Sequence, residues 1–135
     1  MSSSTSDTPY ALVVDDDVHV RMLACDILED AGFRTLDAAT GDDAMGVLRD
    51  HGDEIVLLFS DVEMPGRLDG FALARETARL WPGISIVVAS GRRSPEPGEM
   101  PEHARFLSKP FSAQMVYDHL KEILPDGRKP EPLRS

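Results

Sequence analysis

Ile55-Val56-Leu57-Leu58-Phe59-Ser60-Asp61 is an apolar run that ends on a carboxylate. A run this short, with no polar alternation, reads as a strand buried on both faces. Working outward, the same form recurs. Tyr10 to Val14 is an apolar run stopped by Asp15-Asp16-Asp17, Phe33 to Ala38 is strand-like, Ile84 to Ala89 precedes Ser90, and Arg105 to Ser108 precedes Lys109-Pro110. Between these runs the period changes. Val20, Leu23, Ala24, Ile27, Leu28 and Ala31 share one helical face that stops at Gly32. Thr40 is placed to cap a helix through Ala44, Val47 and Leu48 that stops near Gly52. Phe71, Ala74, Ala78 and Trp81 mark a third helix ended by Pro82-Gly83. Ser112 caps a last one carrying Met115, Val116, His119, Leu120, Ile123 and Leu124. Doubly buried strands alternating with helices predict an α/β fold: a parallel sheet, doubly wound by right-handed crossovers. One segment breaks the alternation. Residues 91–104 contain Gly91, Pro95, Pro97, Gly98 and Pro101, and proline costs about 3 kcal/mol inside a helix. The fourth helix is therefore expected to be shortened or replaced by a loop.

The bulk properties narrow the function. The chain has 135 residues, enough for one domain, with 41% hydrophobic and 28% charged residues. Fourteen Lys+Arg stand against twenty-four Asp+Glu, a net charge of −10. That balance argues against direct nucleic-acid binding and against adhesion to anionic membrane. The single cysteine, Cys25, excludes an internal disulfide and a multi-cysteine metal site. No apolar run is long enough to span a bilayer, and the Ser/Thr-rich start does not have the form of a secretory signal, so a cytoplasmic location is expected. Residues 1–9 are expected to be a flexible N-terminal segment, 10–124 the folded domain, and the Pro-rich, charged 125–135 a flexible C-terminal tail.

In a parallel sheet all strand ends point one way, and the site lies outside their carboxyl ends. Asp15 and Asp16 follow the first strand, Asp61 ends the third, Ser90 follows the fourth and Lys109 the fifth. Three carboxylates, a hydroxyl and an ammonium would thus gather in one shallow cleft. The carboxylates alone would repel and raise a pKa. A hard divalent cation such as Mg²⁺, or pairing with Lys109, would relieve this. This set meets the needs of phosphoryl transfer to a carboxylate, with Asp61 as nucleophile and Asp15 and Asp16 holding the metal.

The stretches Leu12-Val13-Val14-Asp15-Asp16-Asp17, Ser60-Asp61-Val62-Glu63-Met64-Pro65-Gly66, Asp69-Gly70, Val88-Ala89-Ser90-Gly91 and Phe106-Leu107-Ser108-Lys109-Pro110-Phe111, in this order, resemble the receiver domain of two-component response regulators. The resemblance covers about residues 10–124 and implies a flavodoxin-like five-stranded sheet of order 2-1-3-4-5. It implies that Asp61 accepts a phosphoryl group from a phosphohistidine of a sensor kinase or phosphotransfer protein. Asp16, Asp61 and the backbone carbonyl of Glu63 would be Mg²⁺ ligands, with Asp15 holding a metal-bound water. Ser90 would be the switch hydroxyl, Lys109 its cationic partner before a cis peptide bond to Pro110, and Phe106 the switch aromatic. The surface around residues 90–111 would carry the signal to a downstream protein that the sequence does not identify. The chain resembles stand-alone, single-domain receivers, which modify themselves and do not turn over a substrate. Phe106 stands where tyrosine is commoner, and the Pro/Gly-rich 91–104 stretch departs from the usual partner surface.

Blander readings stand beside these. Asp17 reads as a helix cap, His19, His51, His103 and His119 as surface or packing residues, Cys25 as an inert thiol, and the methionines other than Met64 as core filling. Glu63 and Arg92, opposite in charge and two residues past Asp61 and Ser90, are expected to pair across the cleft. Two other classes compete. Haloacid-dehalogenase-type phosphohydrolases use a similar set, but with the nucleophile first and the acidic pair late; a phosphorylation-independent interaction module would not need the set at all.

Overall fold

In a computed structural model, the described residues are 8–92, 94–125, 128–130 and 133. The order of elements is β1 (Tyr10–Val14), α1 (Val18–Asp30), β2 (Arg34–Ala38), α2 (Gly41–His51), β3 (Ile55–Asp61), α3 (Gly70–Leu80), β4 (Ser85–Ser90), β5 (Arg105–Ser108) and α4 (Ala113–Ile123). The five strands form one sheet of order β2-β1-β3-β4-β5, and every pairing is parallel. β3 is the central strand, flanked by β1 and β4, and Leu12, Leu57 and Leu58 are fully buried. Each such leucine is worth roughly 1.5–3 kcal/mol relative to exposure.

The sheet carries an apolar layer on each face. Ala11, Val13, Leu57 and Phe59 pack with Ala24, Ile27 and Leu28 of α1 and Val116 and Leu120 of α4. Leu12, Val14, Leu58, Ile86 and Val88 pack with Ala44, Met45 and Leu48 of α2 and Phe71, Leu73 and Ala74 of α3. The alternate residues of each strand thus serve opposite layers, as buried parallel strands require. The helices begin where the side chains predict. Asp17 accepts from the His19 and Val20 amides, Thr40 from Asp43, Asp69 from Ala72 and Ser112 from Met115. Gly32 follows α1 at a φ of +105°, a conformation open to glycine.

No helix lies between β4 and β5 among the described residues. Met100, Ala104 and Phe106 instead pack on the α2/α3 layer, and Arg75 of α3 ties the loop by donating to the Glu99 carbonyl at 2.6 Å.

The exposure of three apolar side chains differs from expectation. Leu23, Met22 and Met115 are 50%, 60% and 38% exposed, because the buried stripe of α1 is narrower than its apolar composition and α4 turns Met115 outward. Cys25 is half-buried against the α1/α4 layer. Of the described C-terminal residues, Arg128 donates to the Gly83 carbonyl at 3.2 Å and Leu133 sits in the α1/α4-side core at 4% exposure. An apolar side chain within reach of an open core edge gains more from burial than a charged tail signals by composition. The expectation for the N-terminus falls mostly on residues 1–7, outside the described residues; Thr8 and Pro9 accept hydrogen bonds from Arg34.

Candidate functional site

The register builds the site. Val14 lies opposite Ser60, so the next residues, Asp15 and Asp61, emerge side by side from adjacent strands. Asp61 lies opposite Ala89, and Ser90 opposite Ser108, which brings Ser90 and Lys109 one step beyond. All leave the carboxyl edge of the sheet together. Oxygens of Asp15, Asp16 and Asp61 lie within 4.8 Å of one another. Asp15 and Asp61 are buried and Asp16 is exposed at the rim. Lys109 reaches over them: its Nζ donates to Asp61 Oδ1 at 2.9 Å and to Asp15 Oδ2 at 3.1 Å. The Lys109–Pro110 peptide is cis, as the resemblance implied.

The electrostatics follow from burial and crowding. Burial pushes the Asp61 carboxyl above the ordinary carboxylate value, against the hydrogen bond from Lys109, and the charges of Asp15 and Glu63 push the same way. Burial would lower the Lys109 ammonium, but the hydrogen bonds and charges of Asp61 and Asp15 outweigh it and hold the group above its usual value. A divalent cation fits this donor set. The donors are hard oxygens, as Mg²⁺ prefers, and the cluster carries more negative charge than one lysine cancels. Both oxygens of Asp15 are already engaged, one by Lys109 and one by the Asp17 amide at 2.9 Å, whereas Asp16 faces solvent.

Ser90 is buried at 3% exposure. Its hydroxyl donates to the Glu63 carboxylate, 2.9 Å from each oxygen, and accepts from the Arg92 backbone amide at 3.1 Å. The Glu63–Arg92 ion pair expected across the cleft is therefore corrected. No such pair is present among the described residues; the Ser90 hydroxyl, at the last position of β4, reaches both Glu63 oxygens, and Arg92 is exposed. Phe106 is half-buried opposite Val88 and packs on the α2/α3 layer. No histidine joins the acidic group among the described residues, and burial raises the Cys25 thiol, which keeps it unreactive.

Two residues support the site: Arg21, which the sequence did not single out, and Gly70, marked there only as part of the Asp69-Gly70 stretch. Arg21 spans from α1 to the Asp15 carbonyl at 2.7 Å and to Asp37 at 2.9 Å, bracing the loop that carries the acidic pair. Only its position one turn past the Asp17 cap hints at this. Gly70 starts α3 under Asp61: a Cβ there would meet the Asp61 carbonyl and lie 2.7 Å from Val62 Cα.

Comparison with known proteins agrees with this geometry. The response regulator receiver domain family matches residues 11–121. The chain is 32% identical over 126 residues to the sensor kinase CckA of Brucella abortus, covering 91% of this chain but 13% of that protein. It is 26% identical to sporulation initiation phosphotransferase F of Bacillus subtilis, covering 84% of this chain and 92% of the relative. The crystal structure of the receiver domain from hybrid histidine kinase CckA superposes with a TM-score of 0.72 at 31% identity, covering 86% of this chain and 99% of that one. With its five-stranded order, its acidic strand ends and its lysine bridge all accounted for, the chain belongs to the response regulator receiver domain family.

Proposed function

We propose that this receiver takes a phosphoryl group from a phosphohistidine onto Asp61 and uses the modification to switch the surface around residues 90–111. Receiver domains are signalling modules that accept phosphoryl groups from histidine kinases or phosphotransfer proteins, not enzymes that turn over a separate substrate. The observation that carries the reading is the Lys109 bridge, which sets one ammonium against both Asp15 and Asp61.

In this mechanism an Asp61 oxygen attacks the phosphorus in line as the phosphorus–nitrogen bond to the donor histidine breaks, and the histidine leaves neutral after taking up a proton. The nucleophile must be ionised, which the hydrogen bond from Lys109 favours against burial. Lys109 also faces the charge that develops on the equatorial phosphoryl oxygens. Asp16, Asp61 and the Glu63 backbone carbonyl would hold Mg²⁺, with Asp15 beside them through water. When bound, the ion supplies positive charge against those same oxygens. Ser90 then donates to a phosphoryl oxygen, and Phe106 follows on the adjacent strand. The net charge of −10 supports a protein partner downstream and no direct nucleic-acid contact. No described helix is long and apolar enough to cross a membrane, and a cytoplasmic site of action is part of the proposal. The phosphohydrolase reading finds no support, since the acidic pair precedes the nucleophile along the chain.

Intact mass after treatment with acetyl phosphate and Mg²⁺ tests the proposal. One labile phosphoryl adduct is expected on the wild type and none on Asp61→Asn. An adduct that persists in Asp61→Asn would refute the assignment.

A further inference from the structure

The Ser90 hydroxyl has one proton to give, and the structure shows where it goes. It is directed to both oxygens of Glu63 at 2.9 Å, while the Arg92 amide occupies the hydroxyl oxygen at 3.1 Å. Ser90 is 3% exposed, so water has little access to replace either partner. A hydrogen bond to an ionised acceptor is about twice as strong as a neutral one. Glu63 belongs to the β3–α3 loop and Ser90 to the end of β4, so this bond also staples two segments across the cleft.

We propose that Glu63 is a positioning residue that latches the Ser90 hydroxyl in the unmodified receiver, so that switching requires Ser90 to exchange its bond to Glu63 for one to the phosphoryl group on Asp61. The inference rests on Asp61 being the phospho-acceptor. The two anions compete for a single proton. The phosphoryl group adds about −2 charge near a carboxylate that Asp61 already feels, so forming the new bond and releasing Glu63 toward solvent proceed together. Glu63 thereby sets how far the switch lies toward its inactive side, without touching the reacting atoms through its side chain.

Beryllofluoride with Mg²⁺, a non-transferable mimic of the phosphoryl group, tests this by ¹⁹F NMR titration of the full chain. Glu63→Ala is expected to bind about tenfold more tightly than wild type, the size of one charge-assisted hydrogen bond. Glu63→Gln, which keeps an acceptor oxygen but no charge, is expected to fall between them. The decisive arm is the Ser90→Ala background, where Glu63→Ala should change affinity less than about twofold. Equal gains in both backgrounds would mean that Glu63 acts by charge repulsion alone, and would overturn the latch. Unchanged affinity in Glu63→Ala would overturn it as well. A wild type that binds no beryllofluoride and takes no phosphoryl group would instead defeat the receiver reading beneath it.

Discussion

Asp61 is a carboxylate kept in a place that disfavours its charge. Its pKa is raised by burial first, then by the charges of Asp15 and Glu63, with Lys109 opposing. The linkage follows directly. A carboxyl whose folded pKa lies above its ordinary value of 3.8 binds its proton more tightly in the fold than in the unfolded chain. The metal-free fold therefore carries a penalty at neutral pH, which is relieved as pH falls through the raised pKa toward 3.8. Asp61→Asn, neutral and of the same shape, is expected to raise the melting temperature in EDTA at pH 7 by a few degrees. The gap between variant and wild type should close on acidification; thermal melts from pH 7 to pH 4 measure it. A constant gap across that range would place the origin of the effect elsewhere than in the ionisation of Asp61.

At the scale of elements, α3 is seated where only a glycine permits it. Gly70 donates its amide to the Val62 carbonyl at 2.9 Å, and its Cα side faces the end of β3 so closely that a methyl group has no room. Gly70→Ala must push α3 off β3 or displace Asp61, at a cost of about 1–3 kcal/mol. The expected result is a lower urea midpoint together with slower phosphorylation of Asp61. Gly46 provides the contrast. It lies within α2, and nothing comes inside 4 Å of the place a methyl group would take, so Gly46→Ala is expected to stabilise by about 0.5–1 kcal/mol through helix propensity. Urea denaturation of the two variants reads both signs in one experiment.

For the whole molecule, the segment 91–104 is the uneven part of an otherwise regular design. The α2/α3 layer of the sheet is covered there by loop side chains such as Met100 and Ala104. Among its described residues the backbone–backbone bonds are Glu99 to the Glu96 carbonyl at 3.0 Å and Ala104 to the Pro101 carbonyl at 3.1 Å, local turns with no ladder to a neighbouring strand. A loop outside the strand ladder opens more readily than the strands beside it. It also begins one residue after Ser90, so a pull on that hydroxyl reaches it first. Hydrogen exchange in 91–104 is expected to be faster than in β4 and to change on addition of beryllofluoride and Mg²⁺, while β1 and β3 stay constant. Exchange in 91–104 that ignores the mimic would argue that the signal leaves by another face.

Much of this protein is readable from its chain because the decisive signals are local. The apolar central strands, the caps at Asp17, Thr40 and Ser112, and the proline-rich gap each follow from a residue's own backbone and burial preferences. Parallel winding then forces Asp15, Asp61, Ser90 and Lys109 to one edge, because every strand ends there. The side-chain partnerships were not readable in this way. That Lys109 bridges Asp15 and Asp61, that Ser90 gives its proton to Glu63 while Arg92 stays outside, and that Leu133 returns to the core depend on distances of about 3 Å between residues remote in sequence. Sequence periodicity establishes which edge a group occupies; only the packed sheet, by fixing register and twist, decides which neighbour that group can reach.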